Sequence, residues 1–435
     1  MRCLSLICLA AALTTRAPAA DDARIVAVGR IAADARDTEG ETVGGIGSAI
    51  EVVPGGVVML SDRGAGDGLI DYRPRLQFFR LAREGAALTL TPERTVILRD
   101  SDGRAFTGLF PDRPAATPPQ RGDGRMCIDP EGLAAGADGH FFISEEYMPS
   151  VREFDADGNF VRRFDTPEEC VPRTKSGVDF ATDVGNDVSA GRQPNRGFEG
   201  LSLLPDGRLA AALQCGLAQD GGRNAGFTKL YIFDAATGKA TAAYRVPFAA
   251  TDELNASSPE GKEIKPKHLV ICALTALPDG RLLALERENF GADGAQKHDP
   301  ARYKAVAVLD LARAENTLGR DDAAAAAPVG RTLLFNLAAL DTAAAGLPRE
   351  EIPTKWEGLA IAGIEGDRLR VLLSSDNDFL TPWLFLRDEA TGTIRERDFP
   401  RAKRPQDTWI LEVEATLPPS PTSASRSFNQ PNQIP

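Results

Sequence analysis

One phrase returns along this chain and limits what it can become. Residues 129 to 146 read DPEGLAAGADGHFFISEE, residues 195 to 214 NRGFEGLSLLPDGRLAAALQ, and residues 356 to 377 WEGLAIAGIEGDRLRVLLSSDN. Each is an apolar run opened by Glu-Gly-Leu, then a glycine turn, then a second apolar run. Asp-Gly between hydrophobic runs is a strong hairpin signal. Aligned on the turn glycines Gly56, Gly139, Gly207, Gly280 and Gly366, the chain holds five such units, spaced 83, 68, 73 and 86 residues apart. Further strand pairs follow two of them, SVREFDADGNFVRRFD and KLYIFDAATGKATAAYRV. Four strands per unit, joined by tight turns, make a propeller blade. The expected fold is all-β, a single β-propeller with five readable units, five to seven blades remaining open.

The two ends supply the closure. RIVAVGRIA near the start and TWILEVEATL near the end are lone strands, and pairing them in one blade would fasten the ring. Insertions at 100–127, 166–195, 250–267 and 312–354 fill the excess length of each unit. The alanine-rich stretch from Asp321 to Gly346 reads as one or two short helices within the last insertion.

Outside the propeller, assigned to residues 21–416, two segments differ in character. Residues 1–20 combine Arg2, an apolar run from Cys3 to Leu13 and the small-residue site Ala17-Pro18-Ala19, the pattern of a cleaved secretory signal peptide. That run is far shorter than the roughly 20 residues a membrane span needs, and the sequence predicts no transmembrane segment. Residues 417–435 are rich in Pro, Ser and Asn and read as a disordered tail. The expected location is periplasmic or secreted. Removing Arg2 and Arg16 with the leader takes the formal net charge from -12 to -14, which excludes nucleic acid and anionic membrane as natural partners. Four cysteines remain, Cys127, Cys170, Cys215 and Cys272. In an oxidising compartment they allow two disulfides in three pairings, of which Cys127 with Cys170 is favoured because it would tie down a long insertion. The histidines His140, His268 and His298 are scattered and no CxxC occurs, so a zinc site is not expected. His268 and His298 read as solvated loop residues.

The chemistry lies in the repeated acids. Counting back from the turn glycines, equivalent positions are Ser48, Glu131, Glu199, Cys272 and Glu357; a second column at the end of the following strand is Asp62, Glu145, Gln214, Glu286 and Asp376. Equivalent blade positions lie on one ring around the axis, so both columns converge. One reading has these carboxylates accept backbone N–H groups from neighbouring turns and stitch the blades. Against it stands the concentration of like charge, which calls for a cation or arginines. An oxygen-rich, histidine-poor set suits calcium or magnesium. Arg63, Arg196, Arg287, Lys304 and Lys355 stand beside the acids and would complete an anion site, phosphate being the natural guest. No nucleophile elbow, phosphate loop or dinucleotide fingerprint occurs.

In order, GGIGSAIEV with VMLSDRG, DPEGLAAGADGHFFISEE, NRGFEGLSLLPDG, LTALPDGRLLALERENF and WEGLAIAGIEG with LLSSDNDF resemble the phytase-like family, described as esterase-like activity of phytase, from about Val43 to Glu414. The resemblance implies an exported β-propeller and suggests ester or phosphoester hydrolysis. Carried over, it points to Asp62-Arg63, Glu131, Glu145, Glu199, Glu286-Arg287, Glu357 and Asp376-Asn377. The chain departs from the family pattern at Asp378, which keeps an oxygen ligand, and at Gln214, which leaves the ring of acids incomplete.

The expected activity is calcium-assisted hydrolysis of a small, phosphorylated substrate. Asp62, Glu131, Glu145, Glu286, Glu357 and Asp376 would hold metal. Glu199, Arg63 and Arg287 would act in catalysis, and Arg196, Lys355 and Lys304 would bind substrate. Two alternatives stay open: a propeller that only binds a ligand or protein on its top face, and a calcium-dependent lactonase- or esterase-like propeller acting on a neutral substrate.

Overall fold

The computed structural model describes residues 22–420 except 114, 182–186, 257–262, 293–298, 321–322, 382, 389–390 and 399–404. The leader, His298 and residues 421–435 of the tail lie outside the described residues.

Strand β1 (Arg24–Ile31) opens the chain and waits for a partner almost four hundred residues away. Blade 1 follows as β2 (Ile46–Val53), β3 (Gly56–Ser61), β4 (Arg75–Glu84) and β5 (Ala87–Ile97). Blade 2 is β6 (Pro130–Ala135), β7 (Phe141–Glu145), β8 (Ser150–Phe154) and β9 (Phe160–Arg163). A two-residue hairpin, β10 (Arg173–Thr174) with β11 (Gly177–Val178), decorates the next connector. Blade 3 is β12 (Phe198–Leu203), β13 (Leu209–Leu213), β14 (Phe227–Asp234) and β15 (Lys239–Pro247). Blade 4 is β16 (Val270–Ala276), β17 (Leu282–Arg287), β18 (Lys304–Asp310) and β19 (Gly330–Asn336). Blade 5 begins with β20 (Trp356–Glu365) and β21 (Arg368–Ser375), then breaks for a hairpin of β22 (Trp383–Arg387) and β23 (Ile394–Asp398). It resumes with β24 (Thr408–Thr416), and β1 supplies its outer strand.

The described residues thus form five blades, the lowest number the repeat allowed. β1 pairs antiparallel with β24, Arg24 opposite Glu414 and Ile31 opposite Thr408, while β24 pairs on its other side with β21. The expected closure by both ends is what the sheet order shows. One expectation needs correcting. The alanine-rich segment is not simply helical: Gly330–Asn336 within it is the outer strand of blade 4, flanked by single 3₁₀ turns at 323–325 and 337–339. Its sequence GRTLLFN has the apolar and β-branched content of a strand, whereas the alanines around it drew the helical reading.

Inner strands β2, β6, β12, β16 and β20 touch in sequence around the axis, and β20 returns to β2. Apolar side chains fill the wedges between neighbours. Leu60, Leu133 and Ile143 pack between blades 1 and 2, Phe198, Leu201 and Phe233 between 2 and 3, and Leu359, Leu373 and Leu411 with Leu285 between 4 and 5. The Leu of each Glu-Gly-Leu phrase therefore belongs to an interblade core.

The Gly of the phrase has a different duty. A Cβ on Gly132 would sit 2.1 Å from the Glu199 carbonyl oxygen of the next blade and 2.4 Å from Ser144 Oγ. On Gly358 it would meet Ser374 Oγ at 2.0 Å, with the Gly47 carbonyl oxygen of blade 1 at 3.1 Å. The two serines fill this narrow seam with interblade hydrogen bonds, Ser144 Oγ donating to the Glu199 carbonyl at 2.8 Å and Ser374 Oγ to that of Gly47 at 3.2 Å.

The four cysteines are buried and free, which overturns the expected Cys127–Cys170 bridge. Cys127 lies in the connector before β6, bridged by backbone to Thr107, and Cys170 packs in the core between blades 2 and 3. Burial pushes the Cys127 thiol up to about 12 and that of Cys215 to about 11, so all are poor nucleophiles.

Two outcomes are expected. Gly132→Ala should lower unfolding stability by roughly 1–3 kcal/mol, because rigid backbone opposes the added methyl; denaturant titration measures it. A thiol reagent should label none of the four cysteines in the folded protein and all of them in guanidinium.

Candidate active site at the propeller axis

Each inner hairpin carries a β-bulge at its axial end. In blade 2 the register jumps from Pro130 opposite Glu145 to Gly132 opposite Ser144, which leaves Glu131 as the extra residue. In blade 5 the jump from Trp356 opposite Ser375 to Gly358 opposite Ser374 singles out Glu357. Shifts also fall between Phe198 and Leu201, between Ile271 and Ala273, and between Ile46 and Ala49, around Glu199, Cys272 and Ser48. A bulge breaks the alternation of a strand and re-aims a side chain. The first column read from the sequence is thus a ring of bulge residues, and Glu131, Glu199 and Glu357 line one cavity of about 220 Å³.

The second column was one residue out of step in two blades. Counted from the paired residues Ser61, Glu145, Leu213, Glu286 and Ser375, the next residues are Asp62, Glu146, Gln214, Arg287 and Asp376. Glu146, Gln214, Arg287 and Asp376 line the cavity. A slip of one along a strand turns a side chain to the opposite face, and that is the fate of two expected metal ligands. Glu145 accepts from the Met148 N–H at 3.0 Å and from Arg152 at 3.2 Å. Glu286 is gripped by Arg331 through Nε at 2.8 Å and Nη2 at 3.0 Å. Both are blade struts. Lys304, expected to bind substrate, is a third: its buried ammonium donates to the Glu288 and Phe290 carbonyls and to Glu288 Oε2 at 2.6–2.9 Å, using all three donors. Burial brings its pKa down to about 8 against the attraction of Glu288.

The other expected residues converge. Arg196, Arg287 and Lys355 line the cavity with seven acids, among them Asp67, Glu146 and Asp378. Arg287 donates to Glu357 Oε1 at 2.5 Å and to Asn289 Oδ1 at 2.6 Å. Lys355 reaches Asp378 at 2.6 Å and Asp376 at 3.4 Å. Arg63 stands behind the wall: it pairs with Asp129 at 2.9 Å, donates to Asn195 Oδ1 at 2.6 Å and lies over the Phe110 ring. Its place is to hold those two residues. His268 sits in a single turn at 266–268, where its Nδ1 accepts the Lys265 N–H, and His140 bonds Glu153 on the outer part of blade 2.

Two groups of three carboxylates could hold a cation. Asp62, Asp376 and Asp378 bring one oxygen each within 4.8 Å of one another, and so do Asp129, Glu131 and Glu146. Asp129 and Glu146 were missed by the sequence reading, though Glu146 adjoins Glu145 and Asp129 lies two residues before Glu131. Among the described residues, Asp129 Oδ1 and Glu199 Oε2 are buried with no hydrogen-bond partner. Stitching therefore does not account for Glu199, whereas Glu146 does accept the Gly197 N–H across the blade boundary at 3.1 Å.

Electrostatics follow from this crowding. Burial first, then Glu146 and Glu357, raise Glu199 well above the carboxylate range; burial, Glu199 and Asp129 do the same to Glu131. Asp62 is raised by burial and by Asp376, and Asp376 by burial and Asp378 in spite of Lys355. Asp129 is brought to about 7 by burial against the pull of Arg63. Glu357 alone of this set is lowered: burial opposes, but Lys355 and Arg287 together prevail. The backbone is strained here too. The non-glycine residues with positive φ among those described are Asp67, Asn195, Asp378 and Phe379, at 50–54°. The first three line the cavity, and such strain, of order 1–3 kcal/mol each, gathers at functional sites.

Comparison with known proteins agrees with this arrangement of motifs. The family model for phytase-like proteins, described as esterase-like activity of phytase, matches residues 41–379. The chain belongs to the phytase-like family. An uncharacterized secreted protein of Arthroderma benhamiae is 26% identical over 460 aligned residues, which cover 82% of this chain and 87% of the relative. Among solved structures, virginiamycin B lyase of Staphylococcus aureus is 10% identical with a TM-score of 0.31, covering 90% of this chain and 99% of that one. A streptogramin B lyase is 9% identical with a TM-score of 0.30, covering 92% and 100%. Likeness this loose adds nothing to the reading of this phytase-like site.

The raised acids give a signed expectation. Asp62, Glu131, Glu199 and Asp376 keep protons when folded that the unfolded chain releases above about pH 4–4.5. The unfolded state then binds fewer protons, so stability falls as pH rises toward the folded pKa values. Chelator-treated protein should melt at progressively lower temperature from pH 5 to pH 8, with Glu357 opposing only in part. A flat or rising melting profile would contradict the buried like-charge arrangement.

Proposed function

We propose that this phytase-like protein is an exported, metal-assisted hydrolase of a small phosphoester. The observation that carries the reading is the pair of carboxylate triads, Asp62–Asp376–Asp378 and Asp129–Glu131–Glu146, beside a cavity that also holds Arg196, Arg287 and Lys355. Oxygen-only donors fit calcium or magnesium, and the unpartnered buried oxygens of Asp129 and Glu199 fit a cation as well. A divalent ion held there supplies Lewis-acid polarisation of a phosphoryl oxygen and a more acidic bound water.

The chain's own residues would do the rest. Arg196 and Arg287 face the anion and neutralise charge that builds on the phosphoryl oxygens. Glu199, with a free oxygen and an elevated pKa, is suited to take a proton from the attacking water or return one to the leaving oxygen. Asn289, bonded to Arg287, fixes that guanidinium. Export is supported by the leader-like first twenty residues and by the secreted relative, and a periplasmic or extracellular site has calcium at hand. No helix among the described residues is long and apolar enough to cross a membrane.

The test is hydrolysis of p-nitrophenyl phosphate with calcium and with chelator. Chelation should abolish turnover, and Glu199→Gln should lower kcat/KM by roughly 10²-fold or more. Arg196→Ala should cost at least tenfold, mostly in KM. Lactone hydrolysis that needs calcium but survives Arg196→Ala would replace the phosphoester with a neutral substrate. Calcium binding without turnover on either class would leave a binding propeller.

A further inference from the structure

We propose that a second cavity, away from the axis, binds a small organic ligand carrying a phosphate or sulfate group. It measures about 730 Å³, within the range of small-molecule sites. It lies where the turn before β4, the connector from β5 to β6 and strand β22 of the blade 5 hairpin meet. Five arginines line it, Arg73, Arg99, Arg104, Arg125 and Arg387. They stand against three acids, Glu41, Asp71 and Asp388, in a chain whose formal net charge is -12.

Those acids are already engaged. Glu41 is held by Arg73 and by Arg75, the latter at 2.9 Å, and it accepts the Arg387 backbone N–H at 2.7 Å. Burial opposes its ionisation, but the two arginines and that N–H hold its carboxyl below the ordinary range. Asp71 takes Arg125 at 2.6 Å and the Thr107 hydroxyl at 2.7 Å, and Asp388 takes Arg395 at 2.9 Å. Among the described residues no carboxylate lies at ion-pair distance from Arg99 or Arg104; Arg99 donates to the Gly103 carbonyl at 3.2 Å. Two guanidinium forks are thus left facing a concave space, and that fork matches the oxygens of a tetrahedral anion.

Phe106 and Tyr72 line the cavity and are only 1% and 2% exposed, so its wall is anchored in the core there. The site is separate from the axial one: Tyr72 packs edge-to-face on Phe379, centroids 4.8 Å apart, and Phe379 follows the Asp376–Asp378 turn. An aromatic layer therefore stands between the two cavities.

Calorimetric titration of the full chain in low salt with chelator, using pyrophosphate and then sulfate, tests the assignment. Wild-type protein should bind at least one of them saturably. Arg99→Ala/Arg104→Ala should weaken that binding at least tenfold, with the melting temperature kept, since Arg104 is exposed and Arg99 half-exposed. Arg196→Ala, at the axis, should leave it unchanged. Preference for pyrophosphate assigns phosphate esters, and preference for sulfate assigns sulfate esters. Binding that survives in the double variant, binding lost in Arg196→Ala, or no uptake of either anion at millimolar concentration overturns the proposal.

Discussion

At the axis the inner strands pass so closely that a Cβ at Gly47, Gly132, Gly200 or Gly358 would collide with its neighbour, and this crowding shapes both the fold and the cavity. Where β6 and β20 meet the next inner strand, only glycine fits, at Gly132 and Gly358. One residue earlier the bulge lifts the chain out of the ladder and turns a glutamate inward. One residue later, leucine goes into the wedge between blades. Glu-Gly-Leu is therefore a single geometric unit, its three side chains facing the axis, the neighbouring backbone and the core in turn. A substitution at the glycine would disturb the carboxylate beside it as much as the packing.

The cavity concentrates charge that a folded chain ordinarily spreads out. Seven acids and three cations share its lining; burial and neighbouring acids raise Glu131, Glu199 and Asp376, whereas Lys355 and Arg287 bring Glu357 down. Charge buried without a full set of partners is costly. Left-handed backbone at Asp67, Asn195 and Asp378 adds to that cost in the same place. The interblade cores, apolar and continuous around the ring, are what hold such a site together in the absence of disulfides among the four buried cysteines.

Much of this was legible in the residues, for stated reasons. The hairpin turns announce themselves by Asp-Gly, and the paired end strands by their isolation. Glu131, Glu199 and Glu357 could be found because glycine follows each one, a local signature of close approach. The second ring could not be aligned by eye, since Glu145-Glu146 and Glu286-Arg287 each set two charged neighbours on opposite faces of a strand. Only the strand register decides between them. Asp129 escaped the list of ligands because the β6–β7 pairing, not spacing, brings it to Glu146, and Asp378 because its partner Asp62 comes from another blade. The fourth strand of blade 4 was hidden by the alanines on either side of it.

The seam between β1 and β24 has a geometric consequence. β21 runs toward the cavity, reaching it at Asp376, so β24 runs away from it and β1 starts at the far end, Arg24 beside Glu414. Both ends of the described fold therefore emerge together on the face opposite the axial cavity. Whatever is attached at either end, whether a tether, a support or a fused partner, would leave the mouth of the cavity pointing outward and unobstructed.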